Sequence, residues 1–366
     1  MRASGETRLH GTGPPPRCGR GPRDVHVILP NDIDDPATPS GGNTYDRRVC
    51  DGLAATGWAV HEHAVPGAWP QPTAQEQTRL ARQLAALPDG ALVLIDGLVG
   101  SAAPDALCAQ AHRLRLVPLI HMPLLDDGEG RALAAATRIV TTSEWTRQTL
   151  LARYPLPVDR VHVVHPGVDP APLTPGSPSG SRLLCVAAVT PGKGHDLLAQ
   201  ALARVAELPW RCVCVGSVTR DPRFVAALRA QLDADGLTDR MPLVGPRTGA
   251  DLAAAYAAAD LLVLASRAET YGMVVTEALA RGIPVVATAV GGVPEAMGET
   301  PDGDRPGVLV ARDDPGALAD ALRRWLGDPA LRERLRRAAR ARRAQLTGWD
   351  VTTARLAQVL TEAVAV

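Results

Sequence analysis

The sequence lacks a surplus of either charge: 39 Lys and Arg stand against 39 Asp and Glu in 366 residues. That balance removes the basic excess of nucleic-acid binders, so nucleic acid is not expected as a partner. No apolar run reaches the roughly 18–20 residues of a membrane span. The opening stretch MRASGETRLHGTGPPPRCGRGPRD has no apolar core, which excludes a secretory signal. Residues 1–23 are expected to be a disordered tail, or the product of a start codon placed too early. The six cysteines form no CxxC pair, which points to reduced core cysteines in a cytosolic protein. Cys212 and Cys214, two apart in a strand-like run, should face one side. Phe occurs once, while Ala, Arg, Gly and Pro abound; this is compositional bias, not function.

What is present is a repeating pattern of short apolar runs and amphipathic stretches. VHVILP (25–30), ALVLID (91–96), RLVPLIHM (115–122), TRIVTTS (137–143) and VHVVHPG (161–167) read as buried strands. Segments such as 44–55 and 144–154 read as helices between them. That alternation predicts a parallel sheet covered on both faces. DPAPLTPGSPSGS (169–181) is dense in Pro, Gly and Ser and reads as a linker. The pattern then restarts with strands at 181–189, 210–218, 240–246, 260–266 and 283–290, and helices at 194–208 and 249–260. Two doubly wound α/β sheets joined this way leave a cleft at their carboxyl ends, where such sheets bind ligands. The Arg-rich segment 329–346 predicts a solvated helix with Leu331, Leu335 and Ala339 as its apolar stripe. Its second reading is weak peripheral contact with anionic lipid.

Segment 266–295, SRAETYGMVVTEALARGIPVVATAVGGVPE, holds the most chemistry. It begins at a strand end, and Gly282, Ile283 and Pro284 stop the helix that follows. Glu269 falls in the loop above that helix and Glu277 on its second turn. Backbone N–H groups around Gly272 and Met273, with Tyr271 beside them, can hold a phosphate. Gly272 removes the Cβ that would block close approach. Two carboxylates bracketing such a cradle suit a nucleoside diphosphate sugar, Glu269 accepting from sugar hydroxyls and Glu277 from the ribose.

Glu269-x7-Glu277, with Gly272 and the following GIPVVATAVGGVPE, resembles the donor-site signature of glycosyltransferase family 4. TTSEWTRQTL (141–150), VVHPGVD (163–169), VTPGKGHDLLAQAL (189–202) and Trp349–Asp350 resemble further parts of that family, so the likeness covers about residues 25–366. The resemblance implies the glycosyltransferase-B fold, with two Rossmann-like domains facing across a cleft. It places an acceptor-side domain at 24–170, a linker at 171–181 and a nucleotide-sugar domain at 182–348. The last helix, 349–366, packs back on the first domain. It implies a retaining transfer of a hexose-type sugar from a UDP- or GDP-sugar to an acceptor hydroxyl, with no cofactor. Lys193 matches the lysine that neutralises the leaving diphosphate, a role suited to an ammonium. His121 matches a histidine close to the donor sugar. Gly41 and Gly42, in a loop after the first strand, match the family's glycine-rich loop near phosphate and acceptor. His121, Lys193 and Glu269 are thus the expected catalytic residues; Gly41, Gly42, Tyr271, Gly272, Met273 and Glu277 are the expected donor-binding residues.

One departure stands out. The family's usual Arg before the Lys falls at Ala188, which cannot pair with a phosphate. Arg220 and Arg267, near strand ends, are the candidate substitutes. Asp32-Ile33-Asp34 resembles a DxD metal motif but lies after the first strand, where Lys193 and helix amides already offer positive charge, so no metal is expected. No GxGxxG opens either sheet, which argues against NAD. A non-hydrolysing nucleotide-sugar epimerase of the same architecture and a nucleotide-sugar binder without turnover stay open as alternatives.

Overall fold

A computed structural model describes residues 23–37 and 39–365. The expected tail therefore lies, apart from Arg23, outside the described residues. The first sheet contains β1 (Arg23–Pro30), β2 (Trp58–Val65), β3 (Leu92–Asp96), β4 (Arg115–Ile120), β5 (Ile139–Thr141) and β6 (Val161–Val163). They lie in the order β2-β1-β3-β4-β5-β6, all parallel. The second contains β7 (Arg182–Val186), β8 (Arg211–Val215), β9 (Leu261–Leu264), β10 (Val285–Thr288) and β11 (Gly307–Val310). Its order is β11-β10-β9-β7-β8, again all parallel. Parallel strands need crossovers, and the intervening helices supply them on both faces.

The pleat explains the two cores of each sheet. Val25, Val27 and Leu29 point to one face of β1 and pack with Tyr45, Val49 and Leu53. Ile28, Val93 and Ile95 point to the other and pack with Leu80, Leu84 and Leu107. In the second sheet, Leu183, Cys185, Cys212 and Cys214 face Leu198, Leu202 and Trp325. Leu184, Leu262, Leu264 and Val285 face Tyr256, Val275 and Leu279. Each such aliphatic side chain contributes about 1.5–3 kcal/mol by leaving water.

The helix Gly41–Ala55 begins where Ser40 Oγ accepts from the Asn43 N–H at 3.0 Å. Its spacing-four stripe of Tyr45, Val49 and Leu53 meets β1 and the last helix, Trp349–Val364, through Leu356 and Leu360. Tyr45 also donates its hydroxyl to the Val164 carbonyl at 3.0 Å. Gly41 and Gly42 are thus the first turn of a helix instead of a loop, because Ser40 caps it earlier than the apolar spacing indicated.

Three other differences have physical causes. The edge strand β2 was not expected, since WAVHEHAV alternates with polar residues and stays half exposed. The short β11 was missed as well. The run at 240–246 is not a regular strand: it lies along β8 with one bridge, Cys214 to Leu243, and Pro242 has no N–H to give. Finally, Leu331, Leu335 and Ala339 of the helix Pro329–Arg343 are buried against the protein's own cores. The apolar stripe is therefore covered by the protein itself and offers no apolar face to a lipid surface. Among the described residues no helix is long and apolar enough to cross a membrane.

Candidate active site

The helix Met273–Ala280 starts from Gly272 at φ +91°, with no side chain capping its first turn. Val275 N–H turns back to the Gly272 carbonyl at 2.9 Å, and the N–H groups ahead of it have no side-chain cap and can receive an anion. The loop before it, Glu269–Tyr271, rests on Gly291 and Gly292 at the end of β10. The Gly292 N–H donates to the Glu269 carbonyl at 3.2 Å. A Cβ on Gly292 would stand 2.9 Å from the Tyr271 Cα, so only glycine admits this contact.

Lys193 reaches this loop from the second sheet's first crossover. Its Nζ donates to Glu269 Oε1 at 2.7 Å, and the Ser266 hydroxyl donates to the same oxygen at 2.8 Å. Gly194, at φ +65°, makes the turn possible, since a Cβ there would overlap the Ala265 carbonyl. Glu277 is half-buried and does not join this pair. It accepts from the Tyr256 hydroxyl at 2.7 Å, and the Arg281 guanidinium lies over the Tyr256 ring at 4.4 Å. Burial raises the Glu277 carboxyl above the usual glutamate range, against the Tyr256 hydrogen bond and the Arg281 charge.

From the opposite half come Gly41, Gly42 and His121. A Cβ on Gly41 would stand 3.3 Å from Met273 Sδ, so two helix starts meet here across the cleft. A Cβ on Gly42 would stand 3.3 Å from His121 Cδ2. His121 Nε2 is 2.6 Å from Asp46 Oδ1 and 3.9 Å from Asp96 Oδ2. Neither aspartate carried a sequence signal, being 75 and 25 positions from His121. Tyr271 stacks obliquely on His165, ring centres 5.8 Å apart.

Arg267 does not stand free to replace the charge missing at Ala188. It is bidentate to Asp196 at 2.9 and 2.7 Å, and its Nε donates to Asp313 at 2.8 Å. Arg220 is exposed in the loop after β8. Asp34 is taken up by Arg47 at 2.8 and 3.0 Å. Among the described residues two groups bring three potential ligand atoms within 4.8 Å of one another: Asp46, Asp96 and His121, and the buried Cys185, His195 and Cys214. Two cavities of about 310 and 240 Å³ share Val168 and Leu346 in their walls; Tyr271 and Glu295 line the smaller, and neither is lined by Lys193 or Glu269.

Glu295 is a residue whose role the sequence did not disclose. It accepts from the Glu144 N–H at 2.9 Å and the Trp145 N–H at 3.3 Å, capping a helix of the first half. His165 Nε2 lies 2.5 Å from Glu295 Oε1. Burial works against ionisation, yet the His165 hydrogen bond and the Glu144 N–H hold the Glu295 carboxyl below its usual range. Glu295→Ala is expected to cost about 1–3 kcal/mol, read as a lower apparent melting temperature. Because the folded pKa is depressed, this increment is present at neutral pH and is lost as pH falls through that lowered value. Equal melting of variant and parent at pH 7 would remove the cap from the account.

Comparisons with known proteins agree on the class. A model for "Glycosyl transferases group 1" matches residues 180–328, and one for "Glycosyltransferase Family 4" matches residues 39–172. D-inositol 3-phosphate glycosyltransferase of Salinispora arenicola is 37% identical over 265 residues, 65% of this chain and 57% of that protein. D-inositol 3-phosphate glycosyltransferase 1 of Catenulispora acidiphila is 33% identical over 299 residues, 74% of this chain and 70% of that protein. The chain spans only 57%, 59% and 53% of three such relatives in the aligned region. Among solved structures, a glycosyltransferase from Rickettsia africae superposes with TM-score 0.75 at 18% identity, covering 94% of this chain and 99% of that one. Anabaena HepE in complex with UDP and glucose superposes with TM-score 0.70 at 19% identity, covering 92% and 99%. At such identities the structures show the glycosyltransferase-B fold alone.

Proposed function

Because the chain belongs to glycosyltransferase family 4, we propose that it is a retaining hexosyltransferase using a nucleoside diphosphate sugar. The observation that supports this best is the Lys193–Glu269 pair, 2.7 Å long, beside a helix start with no side-chain cap. A diphosphate at that start would draw the ammonium toward itself, and Glu269, released, would accept from the sugar's hydroxyls. Residues 182–348 would hold the donor, 24–170 would choose the acceptor, and 171–181 would link them. The acceptor hydroxyl attacks on the face the diphosphate leaves, and the departing phosphate takes its proton. The protein supplies positioning and charge stabilisation. Closure of the halves would exclude water.

A thermal-shift screen with UDP, GDP, ADP and their sugars tests the donor. UDP-glucose is the first choice, given what HepE binds, and D-inositol 3-phosphate is the first acceptor, given the relatives' names. No stabilisation by any nucleotide would sink the reading. Epimerisation of a UDP-sugar without an acceptor would select the epimerase alternative, and Ala188 is the feature that favours binding without turnover. Glu277→Ala is expected to weaken nucleotide binding about 10–100-fold, as loss of a charged hydrogen-bond acceptor does. Since its pKa is raised, affinity should start to fall on acidification above the usual glutamate range. Calorimetry with UDP or GDP reads both effects, and unchanged affinity would place the ribose elsewhere.

A further inference from the structure

The surroundings of His121 go beyond what the family signature assigns. Three separate elements converge on its ring: Asp46 from the helix Gly41–Ala55, Asp96 from the end of β3, and His121 itself just past β4. Asp46 is 2% exposed, Asp96 4% and the His121 side chain 13%. Two buried carboxylates this close to one another are costly unless a positive charge or a proton sits between them. Both answers are present. Burial, then the Asp46 charge, pushes the Asp96 carboxyl up to about 7, against His121 and the Val99 and Leu98 N–H groups. For His121, burial works to lower the pKa, but the charge and hydrogen bond of Asp46 and the charge of Asp96 outweigh it and raise the value. The other titratable group touching the ring is Tyr45, edge-on at 5.2 Å. Asp46 Oδ2 is buried with no hydrogen-bond partner among the described residues. Gly42 packs against His121 Cδ2, so the ring has little room to turn.

We propose that Asp46 and Asp96 are positioning residues for His121, fixing its ring with Nε2 turned inward and Nδ1 presented to the cleft as a donor to the transferring sugar. The proposal rests on the transferase reading. An isolated histidine would be only partly charged near neutral pH. Here the two carboxylates favour the imidazolium, and from behind it they offset its repulsion of an oxocarbenium-like centre. Asp96 also accepts from Leu98 and Val99 N–H through its other oxygen, which anchors it from behind.

The test uses the full chain and follows the His121 ring by NMR titration, assigned with His121→Gln. In the parent it should titrate above the ordinary histidine value. Asp46→Asn should lower it by about one pH unit or more, and Asp96→Asn should move it less, in the same direction. With a donor and acceptor in hand, Asp46→Asn should lower kcat about 10–100-fold with the donor KM within about threefold. The alkaline limb of the kcat profile should move to lower pH in step with the NMR value, and Asp46→Glu should recover part of the rate. If Asp46→Asn does not fold, Asp96→Asn, which still caps Leu98 and Val99, carries the same measurement. A His121 titration unmoved in a folded variant, or a kcat loss with an unshifted limb, overturns the proposal. Nucleotide binding on the same samples judges the transferase reading separately, because the titration needs no substrate.

Discussion

Lys193→Ala should lower kcat by about 10²–10³-fold, the usual cost of removing one group aimed at charge that develops in the transition state. The structure makes the expectation specific. Lys193 Nζ is held at 2.7 Å by Glu269, in the loop that leads into the open helix start. Ala188 offers no charge. Arg267 is bound to Asp196 and Asp313, so recruiting it would break its bidentate pair with Asp196 and its contact with Asp313. Nucleotide affinity should fall less, because the helix amides and Glu277 still hold the ground state. Equal losses in kcat and kcat/KM would mark an interaction made mainly in the transition state. Lys193→Arg should restore little, since a planar fork does not fit where a compact ammonium sits between Glu269 and a phosphate. Steady-state kinetics with the donor that the thermal-shift screen selects reads all of this. A drop below tenfold, or one found only in KM, would remove Lys193 from the catalytic role.

The parts of the fold that were legible in the sequence are those buried on both faces. β3, β4, β9 and β10 are almost wholly covered, as is β1 from Val27 onward, so their side chains need not alternate and appear as continuous apolar runs. β2 stands at a sheet edge, keeps His61 and Glu62 in water, and loses that signal. The loop of Glu269 and the start at Gly272 were readable because their chemistry is local: carboxylate, glycine and helix start lie within nine residues. Asp46, Asp96 and Glu295 act across long stretches of chain, and no spacing rule encodes a contact that the crossovers create. Gly41 and Gly42 show the same limit at short range. Their residue type was informative, but the Ser40 cap, which decides helix against loop, depended on a serine three positions ahead of Asn43.

Gly291→Ala should damage the site more than its distance from any ligand suggests. Gly291 has φ +53°, where an L-residue costs about 1–2 kcal/mol. A Cβ there would overlap the Glu269 carbonyl oxygen and stand 2.8 Å from its carbon. Both are backbone atoms, so no rotamer change relieves the clash, and overpacking adds about 1–3 kcal/mol. The loop must move, and with it the carboxylate that holds Lys193. Gly236→Ala isolates the two effects. Gly236 is also left-handed, at φ +65°, but a Cβ there meets nothing within 4 Å. That variant should lose only the backbone increment and keep its activity. Gly291→Ala should melt lower still and lose turnover on the scale of Lys193→Ala, while the rest of the second sheet stays folded by circular dichroism. If the two alanine variants melt alike and turn over alike, the floor beneath Glu269 yields freely, and the rigid loop that the donor-site chemistry requires is not there.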